Sequence, residues 1–359
     1  TKLGPDGLAQ LEVELKVLGQ DADLVDSLMV AGRLQATSTP PKINFEKSYL
    51  LGGIAKACER TDDAIEFYGY AIKLGKDRAV GLYRELGVVL EHARRYSEAV
   101  ALYTEALNEP RLFGIKDDLF SYLARAQVLD GDANGAIESI GEALKLKPDN
   151  VSHQYEEAWI YSHSRQWDIA IARFEKLISA NVENKQAQRL FLFSLSNIYV
   201  QKGEFRKGEE ILEKVFESDP QDIQLNNDLG YMWADQGKNL DKAEQMIRKA
   251  VVSEPENGAY LDSLGWVLFK RGKYQEALGP LEQAVKKNTG GDATLWDHLA
   301  DVQFQLMQLD KAFESWQRAL KSAEADKFSD PQLIERLKDK LKQHAPDQNP
   351  PKPAQAGSP

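Results

Sequence analysis

Small residues recur through this chain at a fixed distance, and that period limits what the chain can fold into more than any other feature. Leu229-Gly230, Leu264-Gly265 and Leu299-Ala300 stand 35 residues apart, and each is followed 12 or 13 residues later by an alanine that opens an Ala-x3-apolar step: Ala243 to Ile247, Ala277 to Leu281 and Ala312 to Trp316. Leu261, Leu264, Gly265 and Leu268 fall at i, i+3, i+4 and i+7 and share one helical face, as do Ala277, Leu281 and Ala284 on a second helix. The two stripes face each other. Gly265 and Ala277 leave little side chain between the helices, so the backbones approach closely and a bulkier residue would overpack the contact.

The same unit runs through most of the sequence. Leu51-Gly52 with Ala64, Leu86-Gly87 with Ala99, and Leu123-Ala124 with Ala136 keep the 12-residue distance, and Ala158 with Ala170 and Ser196 with Gly208 continue it. Arg271-Gly272-Lys273-Tyr274 and Lys202-Gly203-Glu204-Phe205 supply a glycine where a helix C-cap needs positive φ. Pro148, Pro220 and Pro255 stand where second helices must stop. The 38-residue step from Ala158 to Ser196 predicts an extended turn over residues 182–188, and Gly237-Lys238-Asn239 predicts one extra turn residue. Residues 1–44 read as a degenerate hairpin and linker, with Leu8, Leu11 and Leu15 on one helix and Leu24, Leu28 and Ala31 on the next, Leu24 standing where the pattern wants alanine. Eight repeats are expected over 45–326. A capping helix over 327–344 follows, with Leu333, Ile334, Leu337 and Leu341 turned inward, and then a disordered Pro-rich tail over 345–359.

Composition narrows the function. A net charge of −11 argues against nucleic acid as a partner, and no apolar run nears the roughly 20 residues of a membrane span. The chain reads as soluble, with the compartment left open between cytoplasm and a bacterial periplasm or envelope; it starts at Thr1, which fits a leader or further domain upstream. No catalytic, cofactor-binding or metal-ligating constellation can be assembled. The five histidines are scattered, and His153 and His163 read as solvated helix surface. Cys58 reads as a packing residue at a helix end.

The order Leu-Gly, then Ala-x3-aromatic or aliphatic, then Pro resembles the tetratricopeptide repeat (TPR) family. That resemblance implies an all-α, right-handed superhelical solenoid of about eight helix-turn-helix repeats, with the degenerate N-terminal hairpin and the C-terminal capping helix at its ends. It also implies a groove lined by the first helix of each pair. The pattern positions that face such a groove are held here by Arg84, Glu91 and Arg125, then by Tyr155, Trp159, Asn197, Asn227, Tyr231, Asp235, Asp262, Trp266, Asp297 and Asp301. Tyr231 and Trp266 are expected as exposed anchor rings, and the aspartates as a negative field relieved mainly by Lys270. Phe193 stands where the chaperone-tail carboxylate clamp of this family needs lysine, which argues against that role. The stretch from Leu229-Gly230-Tyr231 to Trp316 is similar to bacterial TPR proteins, among them envelope lipoprotein adaptors of carboxyl-terminal processing proteases. The expected function is a non-catalytic scaffold or adaptor that binds a protein or peptide with basic and apolar residues. Two other classes fit the residues: the recognition arm of a larger enzyme, such as a glycosyltransferase or peptidase, and a self-association module.

Overall fold

A computed structural model describes residues 21–75, 80–287, 292–326 and 329–344. Among the described residues the chain forms eighteen α-helices and one 3-10 turn, with no strand. It divides into two compact units, Thr1–Leu177 and Ile178–Pro359. The first unit holds α1 (Ala22–Thr37), α2 (Phe45–Ala57), α3 (Thr61–Gly75), α4 (Val80–His92), α5 (Tyr96–Leu107), the 3-10 turn Pro110–Ile115, α6 (Lys116–Leu129), α7 (Ala133–Leu146), α8 (Val151–His163) and most of α9 (Trp167–Ala180). The second holds the end of α9, α10 (Lys185–Gln201), α11 (Phe205–Ser218), α12 (Ile223–Asp235), α13 (Leu240–Ser253), α14 (Gly258–Lys270), α15 (Tyr274–Lys287), α16 (Ala293–Gln305), α17 (Leu309–Ala325) and α18 (Pro331–Gln343).

Within each unit the helices pair as hairpins that stack on their neighbours. The paired small residues sit at the contact: Ala64, Ala99, Ala136, Ala243, Ala277 and Ala312 are fully buried. What the glycine of a Leu-Gly pair admits is the residue four beyond the alanine. A methyl group at Gly265 would run into Leu281, and one at Gly87 into Tyr103. A polar pin crosses the same hairpin contact in both units, Ser139 Oγ donating to Gln127 Oε1 at 2.7 Å and Ser315 Oγ to Gln303 Oε1 at 2.8 Å.

Helix ends follow from local chemistry. In Pro148-Asp149-Asn150, Pro220-Gln221-Asp222 and Pro255-Glu256-Asn257 the proline ends one hairpin, and two residues later a side chain accepts main-chain N–H groups of the next first helix. Such caps are worth about 1 kcal/mol each. The turns inside hairpins pass through left-handed backbone at Gly203 (φ 83) and Gly272 (φ 74), as expected. The equivalent positions in other hairpins are held by Glu59, Arg94, Arg165 and Met307, all with φ between 56 and 59. The extra turn residue of the sixth repeat is absorbed by Asn239, left-handed at φ 46, a conformation asparagine tolerates better than most residues.

Several expectations need correction. The long step before Ser196 is a lengthened helix and not an extended turn: Asn184 caps α10, so residues 185–188 are already helical. The inner face of α1 is Val25, Met29 and Gly32, while Leu24 and Ala31 are exposed. His153 is no surface residue; it is 2% exposed, with Nε2 2.9 Å from Asp117 Oδ2. Leu337 is fully buried on α18, with Leu333, Ile334 and Leu341 packed beside it. Leu8, Leu11, Leu15 and the tail over 345–359 lie outside the described residues.

These contacts set two stability tests. Ala277→Leu should cost roughly 1–3 kcal/mol by overpacking, while Glu276→Gln on the exposed side should be close to neutral; urea melts of the two variants compare them directly. Met307 is 76% exposed and left-handed. Because left-handed backbone costs an L-residue about 1–2 kcal/mol and glycine returns part of that as chain entropy, Met307→Gly should stabilise the chain by up to about 1 kcal/mol. A lower melting midpoint would contradict the turn geometry.

Candidate functional site

In the second unit, the first helices of successive hairpins form the walls of one cavity. Its volume is about 620 Å³, and it is lined from α10 by Leu190, Phe193 and Asn197, from α12 by Asn227, Asp228, Tyr231 and Asp235, from α14 by Ala259 and Asp262, and by Asp292 and Leu295 at the start of α16. Alternation of first and second helices is what brings these residues together: each first helix presents its turn-spaced polar positions to the same side. Five of the residues expected from the sequence line it, namely Asn197, Asn227, Tyr231, Asp235 and Asp262.

Trp266 is the main correction. It is only 8% exposed, because its indole lies between two rings, with the His298 centroid at 3.9 Å and the Phe269 centroid at 5.0 Å. Its N–H donates to Asp235 Oδ1 at 3.2 Å, and the Lys270 ammonium sits 4.7 Å from the ring centroid while donating to the Asp235 carbonyl at 2.9 Å. Trp266 and Lys270 therefore support Asp235 from behind and do not line the cavity.

The acids are corrected too, since Lys270 is not their main counter-charge. Asp262 holds His298, whose Nδ1 lies 3.0 Å from Oδ1. Asp297, 2% exposed, and Asp301 are bridged by Lys340 of α18, with Nζ 2.6 Å from an oxygen of each, and Arg336 adds a contact to Asp297 at 3.2 Å. Trp316 N–H donates to Asp301 at 3.0 Å. Helix α18 thus withdraws two of the expected acids. Sequence reasoning missed Asp228, which precedes the Leu-Gly pair at an unconsidered pattern position. It also missed His298, signalled only by its distance of 36 residues from Asp262, the same distance that separates His153 from Asp117.

In the first unit, Tyr155 meets Phe174 edge-on with ring centroids 5.7 Å apart. Trp159 lies between the Arg125 guanidinium, 4.1 Å from its centroid, and His163 at 3.6 Å. Arg125 is shared by Glu91 and Glu156 at 3.4 and 3.2 Å; burial raises both carboxyls, opposed by that arginine. This is a compensated cluster. A third group, Asp117, Asp118 and His153, has metal-ligand types close together, but Lys147 Nζ at 2.9 Å already neutralises Asp117.

Comparison with known proteins fits this geometry. Tetratricopeptide-repeat family models match residues 50–112, 191–222 and 263–328. The chain carries tetratricopeptide repeats. The TPR repeat-containing protein PA4667 of Pseudomonas aeruginosa is 26% identical over 158 residues, which is 44% of this chain and 26% of that protein. The human mitochondrial import receptor subunit TOM70 is 19% identical over 175 residues, 47% of this chain and 28% of that protein. The matches thus span about a quarter of the length of these curated relatives. A solved tetratricopeptide repeat protein from Parabacteroides merdae superposes with a TM-score of 0.52 at 17% identity, covering 74% of this chain and 98% of its own; it shares the fold. No helix among the described residues is long and apolar enough to cross a membrane.

One pH dependence follows from the TPR site. Burial pushes the His298 imidazolium down, but Asp262, Asp297 and Asp301 together outweigh it, so its pKa is raised. The folded state then favours protonated His298. That contribution is present in full below the unfolded value near 6.5 and is lost as pH rises through the folded value. The stability advantage of the parent chain over His298→Gln should therefore shrink as urea melts are moved from pH 6 upward. An advantage that grows with pH would reverse the assignment.

Proposed function

We propose that this TPR chain is a non-catalytic scaffold or adaptor, and that it holds an extended segment of a partner protein in the cavity of its second unit. The carrying observation is the convergence of Asn197, Asn227, Tyr231, Asp235 and Asp262 from successive first helices on one open cavity of about 620 Å³. Such a wall offers side chains to a chain running across the hairpins, with amides and carboxylates for its N–H groups and a ring for an apolar residue. The named role of one relative, an import receptor subunit, supports protein or peptide as the ligand class. The Leu229 to Trp316 stretch resembles bacterial TPR proteins of several functions, envelope lipoprotein adaptors among them, which fits a bacterial scaffold or adaptor.

Tyr231 is the ring expected to carry most energy. Burial first, then Asp262 and Asp235, raise its phenol well beyond the usual range, so it stays neutral and acts as an aromatic contact. Tyr231→Ala should weaken partner binding by roughly 2 kcal/mol, about thirtyfold in Kd, with helicity unchanged. A photo-crosslinking residue placed at exposed Asn197 should trap one partner segment, identified by mass spectrometry. Undiminished binding by Tyr231→Ala, together with crosslinks only from the opposite face, would remove the cavity from the interaction.

A further inference from the structure

The cavity contains one part-buried acid, Asp228, that forms no ion pair among the described residues, with Arg189 acting on it only from a distance. Asn227, 6% exposed, lines the cavity beside it; its Nδ2 donates to Asp228 Oδ1 at 3.1 Å, and its own Oδ1 has no hydrogen-bond partner. A buried acceptor without a donor is destabilising and is rarely kept unless something supplies the donor. Asp228 beside it receives only amide donors, from Asn227 and Gln224, and burial raises its carboxyl. The nearby cation, Arg189, is paired with Asp222. The other acids of the lining differ from Asp228: Asp262 faces His298, Asp235 has the Trp266 N–H and the Lys270 ammonium at 3.9 Å, and Asp292 is exposed to solvent and caps α16. Leu190, Phe193 and Leu295 give the same cavity apolar walls. A carboxylate without an ion pair, an unanswered acceptor and a methylene-compatible wall together describe what is missing: a cationic head with N–H donors on an aliphatic stem.

We propose that the Asn227 and Asp228 pair is a subsite for one lysine or arginine of the bound segment, whose methylenes lie along Leu190, Phe193 and Leu295. This rests on the cavity holding a peptide. It assigns the charge preference to Asp228, with Asp262, Asp297 and Asp301 excluded because their charges are already compensated.

Random dodecapeptides displayed on phage and selected on the full chain supply the probe. Selected peptides should share a lysine or arginine flanked by apolar residues, and should lose binding to Ala259→Trp, which fills the cavity from an exposed position. In calorimetry, replacing the shared basic residue by norleucine should weaken binding to the parent about tenfold or more, and binding to Asp228→Asn by less than about twofold, because the charge is then already unmatched. Circular dichroism checks that the variants fold. Peptides that need the open cavity but show no basic preference, or whose norleucine penalty is the same on Asp228→Asn, would overturn the subsite while leaving peptide binding in place. No selected peptide, or binding undiminished by Ala259→Trp, would overturn the cavity reading and the subsite with it.

Discussion

Everything in these two units depends on how near two helices of a hairpin come. With Gly265 facing Leu281 and Gly87 facing Tyr103, the absence of a single Cβ lets a large side chain of the second helix occupy the space above the first. That contact sets the hairpin geometry, and the hairpin sets which residues of the first helix are left to face outward. The capping asparagines and aspartates then fix where each first helix begins. Polar residues at constant offsets from the cap therefore arrive on one side of the stack, which is how a cavity wall is assembled from residues about 35 apart.

The fold was legible because its determinants are local and periodic. Spacing between small residues, glycine in hairpin turns and proline before a cap all report on backbone geometry within one repeat. Where the reading slipped, the deciding contact came from elsewhere. The inner face of α1 turns on Gly32, whose missing Cβ makes room for Leu51 and Phe67 of the following hairpin. The long step ahead of Ser196 gave no sign whether residues would enter a loop or a helix, until Asn184 is seen to cap.

The site was less legible, and for an electrostatic reason. A linear pattern assigns aspartates to a surface but not their partners. Asp262 is answered from 36 residues away, on the next first helix, and Asp297 from 43 residues away, on α18. The Trp266 ring, expected in the open, is covered by His298 and Phe269. What distinguishes Asp228 among the described acids of the cavity that are not exposed is that amides alone bond to it, and that is visible only once its neighbours are placed in space.

The bridge from Lys340 and Arg336 to Asp297 also bears on how long such an array can be. Asp297 is almost wholly buried and depends on two cations from α18. A descendant or engineered chain that continued with another standard hairpin in the place of α18 would strand that carboxylate, a loss of about 3–5 kcal/mol for a broken buried pair. Growth at this end is thus gated by charge: any added repeat must bring a lysine or arginine to the same spot, or Asp297 must change in the same step. The helix that covers the α16–α17 hairpin is held there by charge as well as by its apolar face.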